Sequence, residues 1–192
     1  MSNFCNNNLI NPNWAKHGYI QVYTGNGKGK TTASLGLAMR ALGRCWKVLI
    51  IMFTKGGEDY GELNSFRNLS PEISKNLNIV QAGLDRIVYE NNKNDFDKAE
   101  ITKGWELAKK AIFNDEYNLI ILDEANIAID LGLIDIEDVI YTLKNKPEEM
   151  EIVLTGRNAN AKIIELAHLV SEITPIKHYW DTGVAARKGI EY

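Results

Sequence analysis

The chain has 192 residues, enough for one α/β domain with a core covered on both faces of a sheet and short for two. Its 22 basic and 25 acidic residues leave a formal charge of −3, and no long Lys/Arg run supplies a local basic patch, so nucleic acid is not an expected partner. Hydrophobic residues at 45% and charged residues at 24% are ordinary for a globular chain and confine expected disorder to ends and loops.

From the N-terminus, the Asn-rich stretch Met1 to Trp14 has neither the basic start nor the continuous apolar segment of a signal peptide. The longest apolar runs, Val48 to Phe53 and Leu119 to Leu122, fall far short of the roughly 20 residues a membrane-crossing helix needs. A cytoplasmic protein with no membrane partner is expected. Cys5 and Cys45 lack CxxC or Cys/His ligand spacing, which speaks against structural zinc or a disulfide framework and suits a reducing compartment.

Short β-branched runs then alternate with segments of helical period, the pattern of βαβ units around a parallel sheet. Strands are expected at Tyr19 to Thr24, Val48 to Phe53, Leu77 to Gln81, Leu119 to Asp123, Glu151 to Thr155 and Leu169 to Ile173. Several are apolar almost throughout, as strands buried on both faces are. The intervening Gly29 to Leu42, Phe96 to Phe113, Ile136 to Lys144 and Ala161 to Ala167 carry apolar residues at three and four spacing and are expected as crossover helices. Segments 55–68 and 85–95 are expected as loops. The arm 1–17 and the tail from Pro175 to Tyr192 show no clear period, and both are placed to fold over a site.

The segment most informative about function is Tyr19 to Thr32, an expected strand entering a Gly-rich turn and then a helix, the context of a phosphate-binding P-loop. Gly25, Gly27 and Gly29 let backbone N–H groups turn toward bound oxygens, Lys30 adds a charge, and the helix start offers its positive dipole end. Thr31 is placed to offer a hydroxyl to Mg²⁺, with Thr32 the nearby alternative. The loop is a variant, since Thr24 stands where GxxxxGK[ST] has its first glycine. The bland alternative, a Gly/Lys surface turn, is outweighed by the strand before and the helix after.

Leu119 to Glu124 is an apolar strand ending in two carboxylates, a Walker B-like element expected to lie beside the phosphate strand. Asp123 and Glu124 are candidates for holding a metal directly or through water, and Glu124 also for acting as a base toward water. A P-loop NTPase or kinase, or an ATP-dependent switch whose loops order on nucleotide, fits these features as well.

Beyond the generic P-loop, the chain resembles the ATP:corrinoid adenosyltransferase family of the CobA/BtuR type over about Gly18 to Tyr192. The resemblance is carried by Tyr23 to Thr32, Arg40-Ala-Leu-Gly43, Phe53-Thr-Lys-Gly56 with Gly61-Glu62, Leu122-Asp-Glu124, Leu154-Thr-Gly-Arg157, Val170-Ser-Glu172 and the tail Lys177 to Tyr192. It implies a RecA-like three-layer P-loop fold around a mostly parallel six-stranded sheet, formed by residues 18–192. It also implies transfer of the 5′-deoxyadenosyl group of ATP to the Co(I) of a reduced corrinoid with release of inorganic triphosphate, in adenosylcobalamin biosynthesis or salvage. Mg²⁺ or Mn²⁺, a homodimer and a flavoprotein electron donor are implied with it.

Carried over by position, Gly25, Asn26, Gly27, Lys28, Gly29, Lys30, Thr31 and Thr32 would bind the triphosphate, which runs along the loop in the reverse of the usual sense. Lys30 would be the catalytic charge, Thr31, Glu124 and Asp123 the metal ligands, and Lys55, Glu62 and Arg157 further nucleotide contacts. The arm 1–17 would be a lid over a neighbouring subunit's corrinoid site. His178 and Trp180 are expected to serve packing and Trp105 the core. The chain departs from the family after Gly83, where Leu84-Asp-Arg-Ile-Val-Tyr89 replaces a Phe and Trp pattern that helps displace the corrinoid's lower ligand; either Tyr89 or Leu84 substitutes for it, or the substrate differs. Met52 stands where the family usually has Gln.

Overall fold

A computed structural model describes residues 17–192 except Glu58 and Ile87; nearly all of the arm 1–17 thus lies outside the described residues. Six strands, β1 (Ile20–Thr24), β2 (Val48–Phe53), β3 (Leu77–Ala82), β4 (Leu119–Asp123), β5 (Glu151–Thr155) and β6 (Leu169–Glu172), form one sheet in the order β3-β2-β4-β5-β1-β6. Every pairing is parallel. The helices are α1 (Lys30–Leu42), α2 (Gly61–Arg67), α3 (Pro71–Ser74), α4 (Asp95–Phe113), α5 (Ala125–Asp130), α6 (Ile136–Lys144) and α7 (Ala161–Leu166).

The pleat divides the central strands between two apolar layers. Val48, Ile50 and Met52, with Leu119, Ile121 and Val153, meet Ala38, Ala41 and Leu42 of α1 and Leu63 and Phe66 of α2. Leu49, Ile51 and Phe53, with Ile120, Leu122, Ile152 and Leu154, meet Ile101 and Ala108 of α4, Val139 and Leu143 of α6 and Ile163 of α7. The result is the expected three-layer α/β architecture. Trp105 of α4 is core as expected, and its indole N–H donates to Asp138 Oδ2 at 2.7 Å. The start of α4 is fixed by a capping box between Asn94 and Asp97, which satisfies N–H groups that helix ends leave unpaired.

Three expectations change. The carboxylate strand β4 does not lie beside the phosphate strand: β5 stands between them, pairing with both. Segment 55–68, expected as a loop, contains α2, whose Leu63 and Phe66 are buried; two apolar anchors behind a Gly-rich entry give too little period to read. Cys45 is disulfide-bonded, against the expectation of a reduced thiol. Among the described residues no helix is long and apolar enough to cross a membrane.

Candidate functional site

The C-terminal ends of β1, β4 and β5 open into a cleft of about 680 Å³ that is walled by the β1–α1 turn. The three glycines of that turn serve different physical ends. Gly25 has φ +94°, and a Cβ there would lie 2.6 Å from the Ile173 carbonyl oxygen; at Gly27 the same oxygen would be 2.7 Å away. Gly29, at φ +124°, has open space around it and is needed for its left-handed backbone alone. The Gly27 N–H donates to Ile173 O at 2.7 Å, so this amide pins the turn to the residue after β6 instead of facing the cleft.

Lys30, at the first position of α1, is only 7% exposed. Its Nζ donates to Gly25 O at 2.7 Å and Gly27 O at 2.8 Å, which leaves one of its three N–H donors for a ligand. Burial lowers its pKa, the Glu124 charge opposes that, Arg157 reinforces it and Asp123 opposes it. The ammonium is therefore braced by the loop it serves.

Asp123 is fully buried and its two oxygens are divided. Oδ1 accepts from Thr31 Oγ1 at 2.9 Å and from Thr155 Oγ1 at 2.7 Å; Oδ2 accepts from Lys55 Nζ at 2.7 Å. Burial lowers the Lys55 pKa, but the charge and hydrogen bond of Asp123, with Glu124 and Glu62, outweigh it and the net shift is upward. Glu124 follows in left-handed backbone at φ 58°, uncommon without glycine, and its N–H donates to Thr155 Oγ1 at 3.0 Å. Its Oε2 is buried with no hydrogen-bond partner among the described residues. Burial raises its pKa and the Asp123 charge adds to this, against opposition from Lys55, Lys30 and Arg157.

The tail closes the cleft from the other side. Lys28 Nζ donates to Ile190 O at 2.7 Å and pairs with Glu191 at 3.3 Å. Glu191 also accepts from the Tyr179 hydroxyl and pairs with Arg187 at 3.3 Å, and the Arg187 guanidinium lies 4.9 Å from the Tyr179 ring centre. These contacts, Tyr179 first, hold the Glu191 pKa down to about 2. His178, Tyr179, Trp180, Ile190 and Tyr192 all line the cleft. Trp180 is 68% exposed, so the packing role expected of it does not hold.

The family model for ATP:corrinoid adenosyltransferase BtuR/CobO/CobP matches residues 16–192. The chain belongs to the ATP:corrinoid adenosyltransferase family. It is 34% identical over 92% of its length to the corrinoid adenosyltransferase of Escherichia coli K12, covering 87% of that protein. It is 32% identical to that of Pseudomonas aeruginosa, covering 85%. It is also 38% identical to an uncharacterized protein of Nostoc, of whose length it spans about half, 48%. Membership makes the chain a transferase and supports adenosylation of a corrinoid, with ATP the family's other substrate.

Of the residues that the adenosyltransferase resemblance singles out, Asn26 to Thr32, Lys55, Glu62, Glu124 and Arg157 line the cleft together. Gly25 and Asp123 stand behind its wall. Sequence reasoning gave no role to Thr155, the buried hydroxyl at the end of β5 that donates to Asp123 and accepts from the Glu124 N–H at the end of the adjacent β4; a Thr closing the apolar run Ile152 to Leu154 was the available signal. Of the two expected corrinoid contacts, Tyr89 is 57% exposed and Leu84 partly buried, and neither lines this cleft. Their segment nevertheless abuts it: a Cβ at Gly56 would lie 2.5 Å from the Leu84 carbonyl carbon, and one at Gly83 lies 2.6 Å from the Lys55 nitrogen.

Oxygen donors suit a hard divalent ion, and the donors here are the Thr31 hydroxyl, Asp123 and the unpartnered Glu124 Oε2. No group of three or more His, Cys, Asp or Glu with metal-binding geometry occurs among the described residues.

Proposed function

We propose that this chain transfers the 5′-deoxyadenosyl group of ATP to the Co(I) centre of a reduced corrinoid and releases inorganic triphosphate, in adenosylcobalamin biosynthesis or salvage. The observation that carries this reading is the convergence of Lys30, Lys28 and the N-terminus of the 13-residue α1 on one end of the cleft, a concentration of positive charge suited to a departing polyanion. Co(I) supplies the electron pair for the bond to C5′, the C5′–O bond breaks, and that pair leaves on the triphosphate. No proton moves, so no general base is needed, and the chain's work is orientation and charge stabilisation.

Lys30, braced by two loop carbonyls, offers its third N–H to the triphosphate, and the Gly29 to Thr32 amides and Lys28 add donors. Thr31, Glu124 and Asp123 would hold Mg²⁺ or Mn²⁺, which when bound supplies Lewis-acid neutralisation of the leaving charge. Lys55, Glu62 and Arg157 complete the polar wall. Resemblance further supports a cytoplasmic homodimer, the arm 1–17 as a lid over a partner's corrinoid, and a flavoprotein as source of the electron that makes Co(I).

A second reading draws on Glu124: its raised pKa and buried, unpartnered oxygen suit a base toward water, hence an NTPase. Product identity separates the two. Anaerobic incubation with chemically reduced corrinoid, MgATP and the protein is expected to give a light-sensitive cobalt–carbon product and intact triphosphate in equal amounts. ADP and phosphate with unalkylated corrinoid would overturn the transferase mechanism in favour of hydrolysis.

A further inference from the structure

Lys55 is so placed that it competes for the oxygens proposed as metal ligands. Its Nζ lies 2.7 Å from Asp123 Oδ2 and 3.3 Å from Thr31 Oγ1. The Thr31 hydroxyl has one hydrogen and two lone pairs; the hydrogen goes to Asp123 Oδ1 at 2.9 Å, and Lys55 takes a lone pair. Because Asp123 Oδ1 is already shared by Thr31 and Thr155, Oδ2 is the oxygen best able to coordinate an ion, and it is the one Lys55 holds. A dication drawing on Thr31 Oγ1 and Asp123 Oδ2 would share both with an ammonium, and like charges at such separations repel strongly inside a protein.

The backbone around Lys55 is fixed, so relief has to come from the side chain. Gly57 O accepts from Gln81 Nε2 at 2.7 Å, and Gly56 and Gly83 pack backbone to backbone between the two turns. The flexible four-carbon stem of Lys55 can swing its head within the cleft, where bound phosphate would supply a new counter-charge.

We propose, resting on the metal site assigned above, that Lys55 is the resident counter-ion of Asp123: it suppresses binding of a free divalent ion and moves to phosphate when metal and nucleotide arrive together. Metal uptake is thereby contingent on the triphosphate. Lys55 acts as a positioning residue for the pair.

The test is uptake of Mn²⁺, followed by the electron paramagnetic resonance of the free ion, with and without a non-hydrolysable ATP analogue. Wild type is expected to bind Mn²⁺ weakly alone and tightly with the analogue. Lys55→Met is expected to bind Mn²⁺ alone at least 10-fold more tightly than wild type and to gain at least 10-fold less from the analogue, while Lys55→Arg stays weak alone. Lys55→Gln, which keeps a donor to Asp123 without the charge, serves in place of Lys55→Met if that variant does not fold. If the wild type takes up Mn²⁺ with the analogue but neutral variants bind Mn²⁺ alone no better than wild type, the inference falls and the metal site stands. If wild type takes up none even with the analogue, both fall.

Discussion

Two lysines that line the nucleotide cleft reach carboxylates, and their surroundings make them different devices. Lys55 meets Asp123 at 2.7 Å with side chains 18% and 0% exposed; Lys28 meets Glu191 at 3.3 Å with 40% and 18%. The first pair sits on strand ends, and its carboxylate is held by two hydroxyls besides. The second joins a loop to an irregular tail whose one regular turn is a short 3-10 helix, Tyr179–Thr182. Coulomb attraction is weak in water and strong where water is excluded, so the floor is held by charge whereas the roof is only fastened by it.

Breaking the floor should have the largest effect. Asp123→Ala leaves Lys55 without its partner, and removing one member of a buried pair costs roughly 3 to 5 kcal/mol; the lower end is expected because Lys55 reaches cleft water. A urea midpoint lowered accordingly, with m unchanged, checks this. Lys30→Ala removes a charge aimed at the leaving group and is expected to cut kcat/KM for adenosylation by on the order of 100-fold or more. Near-normal turnover in that variant would refute the assignment of the phosphate site.

Glu124→Gln sharpens the comparison from within the floor. Glu124 is a half-buried acid beside another acid, with a buried oxygen that finds no donor among the described residues, so neutralising it should leave stability unchanged or raise it by up to about 1 kcal/mol, the usual sign at a functional site. Nucleotide-assisted Mn²⁺ binding should fall at the same time. A melting temperature that drops while Mn²⁺ binding persists would mean that Glu124 serves the fold and not the metal.

How far the floor and roof were legible in the sequence differs in the same way. Val48–Phe53 and Leu119–Asp123 could be read to the residue because burial on both faces leaves an unbroken apolar run. Lys30 and Thr31 were legible because a strand, a glycine turn and a helix start must be contiguous in the chain. The bridge from Thr155 to Asp123 spans 32 residues and depends on β5 lying between β1 and β4, which no local pattern encodes. The Gly27 amide, read as facing phosphate, is spent on Ile173 for the same reason. Tail residues Tyr179 and Glu191 meet at one carboxylate by irregular backbone, where no period exists to read.

The smallest expected effect belongs to the roof. Glu191 has its pKa lowered from 4.5 to about 2 by hydrogen bonds from Tyr179 and Arg187, with Lys28 adding to them. For a carboxyl depressed in the folded state, the stabilisation is fully present above the unfolded value and is lost as pH falls from about 4.5 through about 2. Between pH 5 and 8 the fastening should therefore be constant: amide exchange of Gly189, whose N–H donates to Tyr192 O at 2.7 Å, should show the same protection across that range once intrinsic rates are divided out. Salt should act where pH does not, because exposed pairs are screened as the Debye length shrinks from about 10 Å at 0.1 M to about 3 Å at 1 M. Protection at Gly189 should fall with added salt in wild type and be low and salt-independent in Glu191→Gln, with the urea midpoint of both proteins unmoved. A midpoint that dropped in Glu191→Gln as it does in Asp123→Ala would show that the tail is part of the cooperative core, and the distinction between a held floor and a fastened roof would be lost.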